Sequence, residues 1–267
     1  MHELQPQLQL IHYDNLWQIA GSAFRYFDWG ATFTWASSGA VLAARRGYDL
    51  TGIFAIGLVS SCGGGLLRDA MFLQAGPPAL VRTPSYVLIA LTASLLTWLA
   101  GRRSSGRSGA AAGLPPWVRN AVRVADALGL GAFAVVGMRL ALAASIHVAG
   151  AMLVGVVNAV GGGIARSVLL REVPEVFQPG ELTALAAFAG TLTYAALALG
   201  LGLDERSAGL VAIAQVSALR WISVRYHVHT RAAWSRSMRE PLAEQPIQTP
   251  APPRSSSAQS SSARPEP

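Results

Sequence analysis

Seven apolar segments dominate the hydrophobic pattern of the chain, and short polar or charged stretches separate them. They cover residues 28–44, 51–73, 84–101, 124–145, 147–170, 181–202 and 206–225. Each segment approaches or exceeds the ~20 residues with which a helix crosses ~30 Å of hydrocarbon. The pattern therefore predicts an all-α integral membrane protein with seven transmembrane helices, and its first partner is the lipid bilayer.

The composition agrees with a membrane protein. Of the 267 residues, 52% are hydrophobic and only 13% are charged, whereas soluble domains carry about 25% charged residues. The net charge is +7, and arginine supplies all 21 basic residues. These arginines are scattered among apolar segments and form no aromatic–basic module, which argues against a nucleic-acid partner.

The loop arginines predict the topology. If the segments alternate in direction, one side of the membrane receives Arg45, Arg46, Arg102, Arg103, Arg107, Arg119, Arg123, Arg171, Arg231, Arg236 and Arg239. The other side receives Arg25, Arg82 and Arg206. The positive-inside rule places the larger set in the cytoplasm. We therefore expect a protein of the cell membrane with its N-terminus outside and its C-terminus in the cytoplasm.

A glycine triplet occurs twice, in "CGGGLLRD" at 62–69 and in "VGGGIARS" at 160–167, at an offset of 98 residues. The same offset, without a gap, pairs Asp28 with Asp126, Gly39 with Gly137, Gly52 with Gly150, Gly57 with Gly155 and Arg68 with Arg166. The pairing predicts two three-helix repeats. Because three is odd, the copies must lie in opposite orientations, which is the inverted-repeat plan of many transport proteins.

The predicted division of the chain follows from these repeats. It comprises an N-terminal segment at 1–27, a first repeat at 28–101, a cytoplasmic linker at 102–123, a second repeat at 124–202, a seventh helix at 206–225 and a tail at 240–267. The tail is rich in proline and serine and has little to bury, so we expect it to be disordered.

The two triplets are predicted to break the second and fifth helices near the bilayer midplane. Glycine costs about 1 kcal/mol relative to alanine inside a helix, and carbonyls freed at a break would attract cations along a polar path. The residues assigned to this path are Gly63, Gly64, Gly65, Gly161, Gly162, Gly163, Ser60 and Asn158. The alternative role of the glycines is close helix packing.

Five charged residues are candidates for pore electrostatics or gating: Arg68, Asp69, Arg139, Arg166 and Arg220. A charge inside the membrane is costly and points to function, and Arg139 is expected deep in the fourth helix. Arg68 and Asp69 could equally be a structural pair that reaches the outer interface. Asp28 and Asp126 are explained as helix-start residues, where the helix dipole favours an acid.

Catalytic motifs are missing from the sequence. No His, Cys, Asp and Glu cluster has metal-ligand spacing, and no G-x-S-x-G element occurs. The glycine triplets lack the G-K-[ST] ending of a phosphate-binding loop. The sequence therefore predicts a transport protein rather than an enzyme, with no metal and no cofactor.

The blocks "GGGLLRDAMF…VRTPSYVLIALTASLL" and "DALGLGAFAVVG…GGGIARSVLL…VPEVFQPGELTALAAFAG" resemble bacterial proteins of the UPF0126, or glycine transporter domain, family. These are similar to the trimeric intracellular cation (TRIC) channels. The resemblance runs from about Asp28 to about Arg225. It implies two inverted three-helix repeats plus one helix, a homotrimer, and a pore within each protomer near the glycines.

Two functions follow from this resemblance. The channels pass monovalent cations, chiefly potassium, and carry a basic residue on the fourth helix that is linked to gating. The family's name implies the alternative, a secondary carrier for glycine or another small amino acid. One departure concerns the second repeat, where Ser167 follows Arg166 in place of the aspartate that family members often have.

Overall fold

The computed structural model describes residues 22–105, 116–178 and 182–226. Seven long helices in this part of the chain are α1 (Ser22–Arg45), α2 (Leu50–Leu67), α3 (Pro84–Ser105), α4 (Pro116–Ala143), α5 (Val148–Leu169), α6 (Thr183–Tyr194) and α7 (Glu205–Tyr226). Helix α2 continues as the π-helix Arg68–Leu73, and α6 continues as the π-helix Ala195–Gly200. Single turns of helix cover Ala79–Arg82 and Glu175–Phe177. The all-α prediction with seven helices is confirmed.

Some predicted segments lie outside the described residues: the tail at 240–267, residues 1–21 of the N-terminal segment and residues 106–115 of the linker. Helix α1 begins at Ser22 and α4 at Pro116, both earlier than predicted. Asp28 and Asp126 therefore lie inside their helices. The explanation by helix-start dipoles was wrong for both, because that effect falls off within the first turn.

Within the described residues, five helical stretches are long and apolar enough to cross a membrane, judged by length and composition: Leu50–Leu73, Pro84–Arg102, Asn120–Ala143, Val148–Leu169 and Thr183–Gly200. Helices α1 and α7 have the length but are more polar. Their polar side chains include buried ones, among them Asp28 and Thr32 on α1 and Arg220 and Ser223 on α7. Both helices pack against the apolar spans, which gives a multi-pass membrane fold.

The helices pack as two equivalent groups of three. Helix α1 contacts α2 and α3, and α4 contacts α5 and α6. The groups meet through the α1–α4 and α2–α5 contacts, and α7 packs on α4 and α6. Equivalent residues make equivalent contacts, since Gly39 faces Ser60 in the first group and Gly137 faces Asn158 in the second. The two inverted repeats with one added helix are confirmed.

Trp35 of α1 and Phe133 of α4 are equivalent residues of the two repeats, and they contact each other where the repeats meet. Their ring centroids lie 5.7 Å apart at an interplanar angle of 79°, an edge-to-face geometry that stabilises by about 0.5–1.5 kcal/mol. Trp35 Nε1 also donates a hydrogen bond of 3.3 Å to the carbonyl oxygen of Asp126. These contacts fix α1 against α4 beside the crossing of α2 and α5.

Candidate functional site

Helices α2 and α5 cross at the two glycine triplets with their backbones in contact. A Cβ atom on Gly161 would lie 3.0 Å from Gly64 Cα, and one on Gly63 would lie 3.2 Å from Gly162 Cα. A Cβ atom on Gly64 would clash with the carbonyl oxygen of Asn158. Glycine is needed here because no side chain fits between the helices.

The predicted helix breaks were wrong. The backbone stays α-helical through both triplets, from Leu50 to Leu67 and from Val148 to Leu169. Each glycine costs about 1 kcal/mol of helix propensity, and the close contact of the two helices offsets this cost. The backbone of α2 leaves α geometry only at Arg68, where a π-helix begins. Such π-helical turns are frequent at functional sites.

Ser60 and Asn158 occupy equivalent positions at the crossing, and both are buried. Ser60 Oγ donates to the carbonyl oxygen of Ile56 at 2.6 Å. Asn158 Nδ2 donates to the carbonyl oxygen of Phe133 at 2.6 Å, and its Oδ1 accepts from Arg68 Nη1 at 3.5 Å. Asn158 therefore ties α5 to α4 and to the end of α2, whereas the Ser60 bond stays within α2. The pore-lining role of both residues stays a prediction.

Arg68 and Asp69 lie inside the protomer, at 1% and 2% exposure. Arg68 Nε donates to Asp69 Oδ1 at 2.7 Å, and Asp69 Oδ2 accepts from the backbone N–H of Ala79 at 2.9 Å. They form the structural pair that was one of the two expectations, but the pair is buried and does not reach the outer interface. Removing one partner of a buried ion pair typically costs about 3–5 kcal/mol.

Asp28 belongs to the same buried network, although it was not predicted as a site residue. The Tyr86 hydroxyl donates to Asp28 Oδ2 at 2.5 Å, and Arg68 lies close enough to act on the carboxylate electrostatically. Asp28, Arg68, Asp69 and Tyr86 are called the outer network below. They lie at the end of the described helices where α1 and α3 begin and α2 ends, which is called the outer end.

A vestibule of ≈ 1110 Å³ opens at the opposite end, called the inner end, where α1 and α7 finish and α4 begins. Its charged lining residues are Arg45, Arg123, Asp126, Arg166, Glu175, Arg220 and Arg225. A smaller cavity of ≈ 30 Å³ lies beside Trp35 and Gly163. It has room for about two water molecules.

Four charged residues line both cavities: Asp126, Arg166, Glu175 and Arg220. They form what is called the neck below. Because the smaller cavity also touches Gly163, the neck lies between the vestibule and the glycine crossing. Two cavities therefore lie on the inner side of the crossing, and the neck residues line both of them.

Hydrogen bonds hold the two neck arginines. Arg220 Nη1 donates to Thr183 Oγ1 at 2.7 Å, and Arg220 Nη2 lies 3.7 Å from Glu175 Oε2. Arg166 Nη1 donates to Ser38 Oγ at 3.4 Å. Two buried atoms of the neck, Arg166 Nε and Asp126 Oδ1, have no hydrogen-bond partner among the residues that the structure describes.

Arg139 lies one turn before the outer end of α4, not deep in the helix as expected. Its Nη2 forms an ion pair of 2.5 Å with Glu205 Oε2, the first residue of α7. Its guanidinium also lies 5.8 Å from the ring centroid of Phe24 on α1. Arg139 therefore joins three helices at the outer end, and its role in gating stays a prediction.

The structure separates the five predicted charged residues into three places. Arg68 and Asp69 are in the outer network, Arg166 and Arg220 are in the neck, and Arg139 joins α1, α4 and α7 at the outer end. Four residues of these sites were not predicted: Asp28, Tyr86, Asp126 and Glu175. The repeat offset that pairs Asp28 with Asp126 was the signal that could have found both acids.

Inverted three-helix repeats that cross at paired glycines define a multi-pass membrane protein of the inverted-repeat class. The family model described as glycine transporter matches residues 25–102 and 123–199, one block over each repeat. The chain belongs to this family, which is also called UPF0126. The resemblance read from the sequence is confirmed.

The chain is 30% identical to the UPF0126 inner membrane protein YadS of Escherichia coli strain K12, covering 76% of this chain and 92% of YadS. The fold also occurs in solved structures, among them the following two. One is a TRIC cation channel studied for the structural basis of conductance, with a TM-score of 0.66 and 30% identity over 80% of this chain and 98% of the other. The second is the trimeric intracellular cation channel orthologue from Rhodobacter sphaeroides, with a TM-score of 0.68 and 26% identity over 78% of this chain and 100% of the other.

Proposed function

We propose that this protein is a membrane channel that conducts small monovalent cations, chiefly potassium, through a path inside each protomer of a homotrimer. The observation that carries the proposal is the pair of cavities on the inner side of the crossing, which share the neck residues and of which the smaller reaches Gly163. The protein's likeness to the TRIC cation channels supports the choice of a cation as the permeating ion and of a trimer as the assembly. The proposed location is the cell membrane, with the inner end facing the cytoplasm.

Conduction requires a change at the crossing. Gly64 and Gly162 lie against the facing backbone, so the helices leave no room for an ion between them. An outward shift of α2 against α5 would open this contact. The glycines suit such movement, because no interlocking side chains need to be withdrawn.

The charges of the vestibule do not decide the sign of the permeating ion. Five of its seven charged lining residues are arginines, but Arg166 and Arg220 belong to the neck. The other three are exposed, and salt screens exposed charges beyond about 8–10 Å. At the neck, the formal charges of two acids and two arginines add up to zero. We therefore place the selectivity of the channel at the neck.

A carrier for glycine or another small amino acid is the second candidate. The observation that favours it concerns two neck atoms, Arg166 Nε and Asp126 Oδ1, which have no hydrogen-bond partner in the described part of the chain. A carboxylate group would suit the first atom and an ammonium group would suit the second. A small zwitterion carries both groups.

One preparation tests both candidates. The purified protein is reconstituted into proteoliposomes, and single-channel currents in a potassium gradient are compared with uptake of radiolabelled glycine. We expect potassium currents whose reversal potential follows the potassium gradient, and no accumulation of glycine. Glycine uptake without potassium current would contradict the channel and favour the carrier.

A further inference from the structure

Asp28 and Asp126 are equivalent by the repeat, yet their surroundings differ. Asp28 is 3% exposed and accepts a hydrogen bond from the Tyr86 hydroxyl. The residue 98 positions after Tyr86 is Ala184, which has no side-chain donor. The second repeat therefore lacks the group that satisfies the aspartate in the first.

A second difference concerns the arginines of the two repeats. In the outer network, Arg68 pairs with the adjacent Asp69. In the second repeat the adjacent residue is Ser167, and Arg166 instead donates to Ser38 and lies 5.9 Å from the ring centroid of Trp35. The second repeat therefore lacks the adjacent Arg–Asp pair of the first, and this end opens into the vestibule.

Because the second repeat has no counterpart of the Tyr86 hydroxyl or of the Asp69 carboxylate, the Asp126 carboxylate is available to a ligand. Among residues 22–105, 116–178 and 182–226, its buried Oδ1 atom has no hydrogen-bond partner, and the residue lines both the vestibule and the small cavity. Glu175 is the other acid of the neck, and its Oε2 atom lies 3.7 Å from Arg220 Nη2. A buried carboxylate oxygen without a partner is costly, and a cation in the adjoining cavity would remove that cost.

We propose that Asp126 supplies the carboxylate that a small monovalent cationic group meets at the neck. The group is an alkali metal ion or the ammonium end of a small zwitterion. This inference rests on the proposed transport function and assigns its specificity to one residue. A single carboxylate suits transport because binding must be favourable enough for entry and weak enough for exit.

Asp126→Asn tests the proposal, because it removes the charge and keeps the size of the side chain. In reconstituted trimers, we expect the single-channel potassium conductance to fall about fivefold. This factor corresponds to about 1 kcal/mol, the attraction between one carboxylate and a monovalent cation at about 4 Å in water. The permeability ratio of potassium to chloride should fall as well. Glu172→Gln is the matched control, because Glu172 lies at the same end but pairs with Arg46 outside the neck.

The outcomes separate the inference from the proposed function. Unchanged conductance and selectivity in a folded Asp126→Asn trimer would overturn the inference and leave the channel standing. A native protein without potassium current and without glycine uptake would overturn the proposed function instead. If the native protein takes up glycine, loss of that uptake in Asp126→Asn identifies the ammonium group as the ligand. Should Asp126→Asn fail to assemble, Asp126→Ser is measured with the same expected losses.

Discussion

Gly64 and Gly162 make the same contact from opposite sides of one helix crossing. Gly64 lies against the carbonyl oxygen of Asn158, and Gly162 lies against that of Ser60. Since both pairs of residues are related by the repeat offset, the contact has the two-fold symmetry of an inverted repeat. The triplets therefore mark the centre of the molecule, where the two repeats share one interface.

Gly64→Ala should destabilise the protein. The new methyl group would clash with the backbone of Asn158, and overpacking of this kind costs about 1–3 kcal/mol or more. This cost exceeds the gain of about 1 kcal/mol in helix propensity. Thermal unfolding of the purified protein in detergent measures the change.

Gly163→Ala is the matched control for this prediction. A Cβ atom at Gly163 would lie 3.5 Å from the Trp35 ring, an ordinary contact. We expect this variant to unfold at or slightly above the native temperature. Equal stability of Gly64→Ala and Gly163→Ala would contradict the tight crossing.

Tyr86→Phe should lower stability by about 1–3 kcal/mol, the typical cost of a buried polar group that loses its partner. The variant keeps the ring and removes the hydroxyl that donates to Asp28. Thermal unfolding checks the result. Tyr26→Phe is the control, because that side chain is 66% exposed, and a similar loss in both variants would contradict the assigned role of Tyr86.

Arg139→Gln should shift the voltage dependence of the current. Its ion pair with Glu205 joins α4 to α7 at the outer end, and one charge crossing the full field is worth about 2.3 kcal/mol per 100 mV. If the pair acts as a unit, Glu205→Gln gives a similar shift and the double variant adds nothing further. Patch recordings of the three variants measure this.

Arg102→Gln is the control for the gating prediction, since Arg102 lies 4.6 Å from the ring centroid of Trp98 on α3, away from that pair. We expect native gating in this variant. Unchanged gating in well-folded Arg139→Gln would leave Arg139 with a purely structural role.

The topology prediction concerns the two ends of the chain. Because the loop arginines are biased toward the inner end, a reporter that is active only in the cytoplasm should be active when fused to the C-terminus. The same reporter at the N-terminus should be inactive. A C-terminal tail that external protease cleaves in intact cells would contradict this orientation.

The repeats could be predicted from the sequence because equivalent positions keep the same residues, as in Asp28 with Asp126 and Arg68 with Arg166. The role of the triplets could not be decided in the same way. A glycine lowers helix propensity whether or not a second helix lies against it. Only the position of Asn158 opposite Gly64 shows that the glycines are needed for contact rather than for a break.

The neck could not be predicted from the sequence for a different reason. It joins Asp126 of α4 and Arg166 of α5 with Glu175 from a connecting segment, and no local pattern encodes that these three residues meet. Asp28 was misassigned because the apolar segment was taken to begin there, although α1 already begins at Ser22. The helix therefore begins several residues before the apolar segment that was used to predict it.

The most direct test of the central claim is current through a channel labelled inside the vestibule. Ser217 lines the vestibule, and Cys62 is the single native cysteine, so Ser217→Cys in a Cys62→Ala background offers one reactive thiol per protomer. A positively charged thiol reagent applied at the inner end should lower the potassium current in up to three steps per trimer, while Tyr48→Cys, an exposed position at the same end, should be unaffected. A native current after complete labelling of Ser217→Cys, confirmed by mass spectrometry, would contradict a path through the protomer.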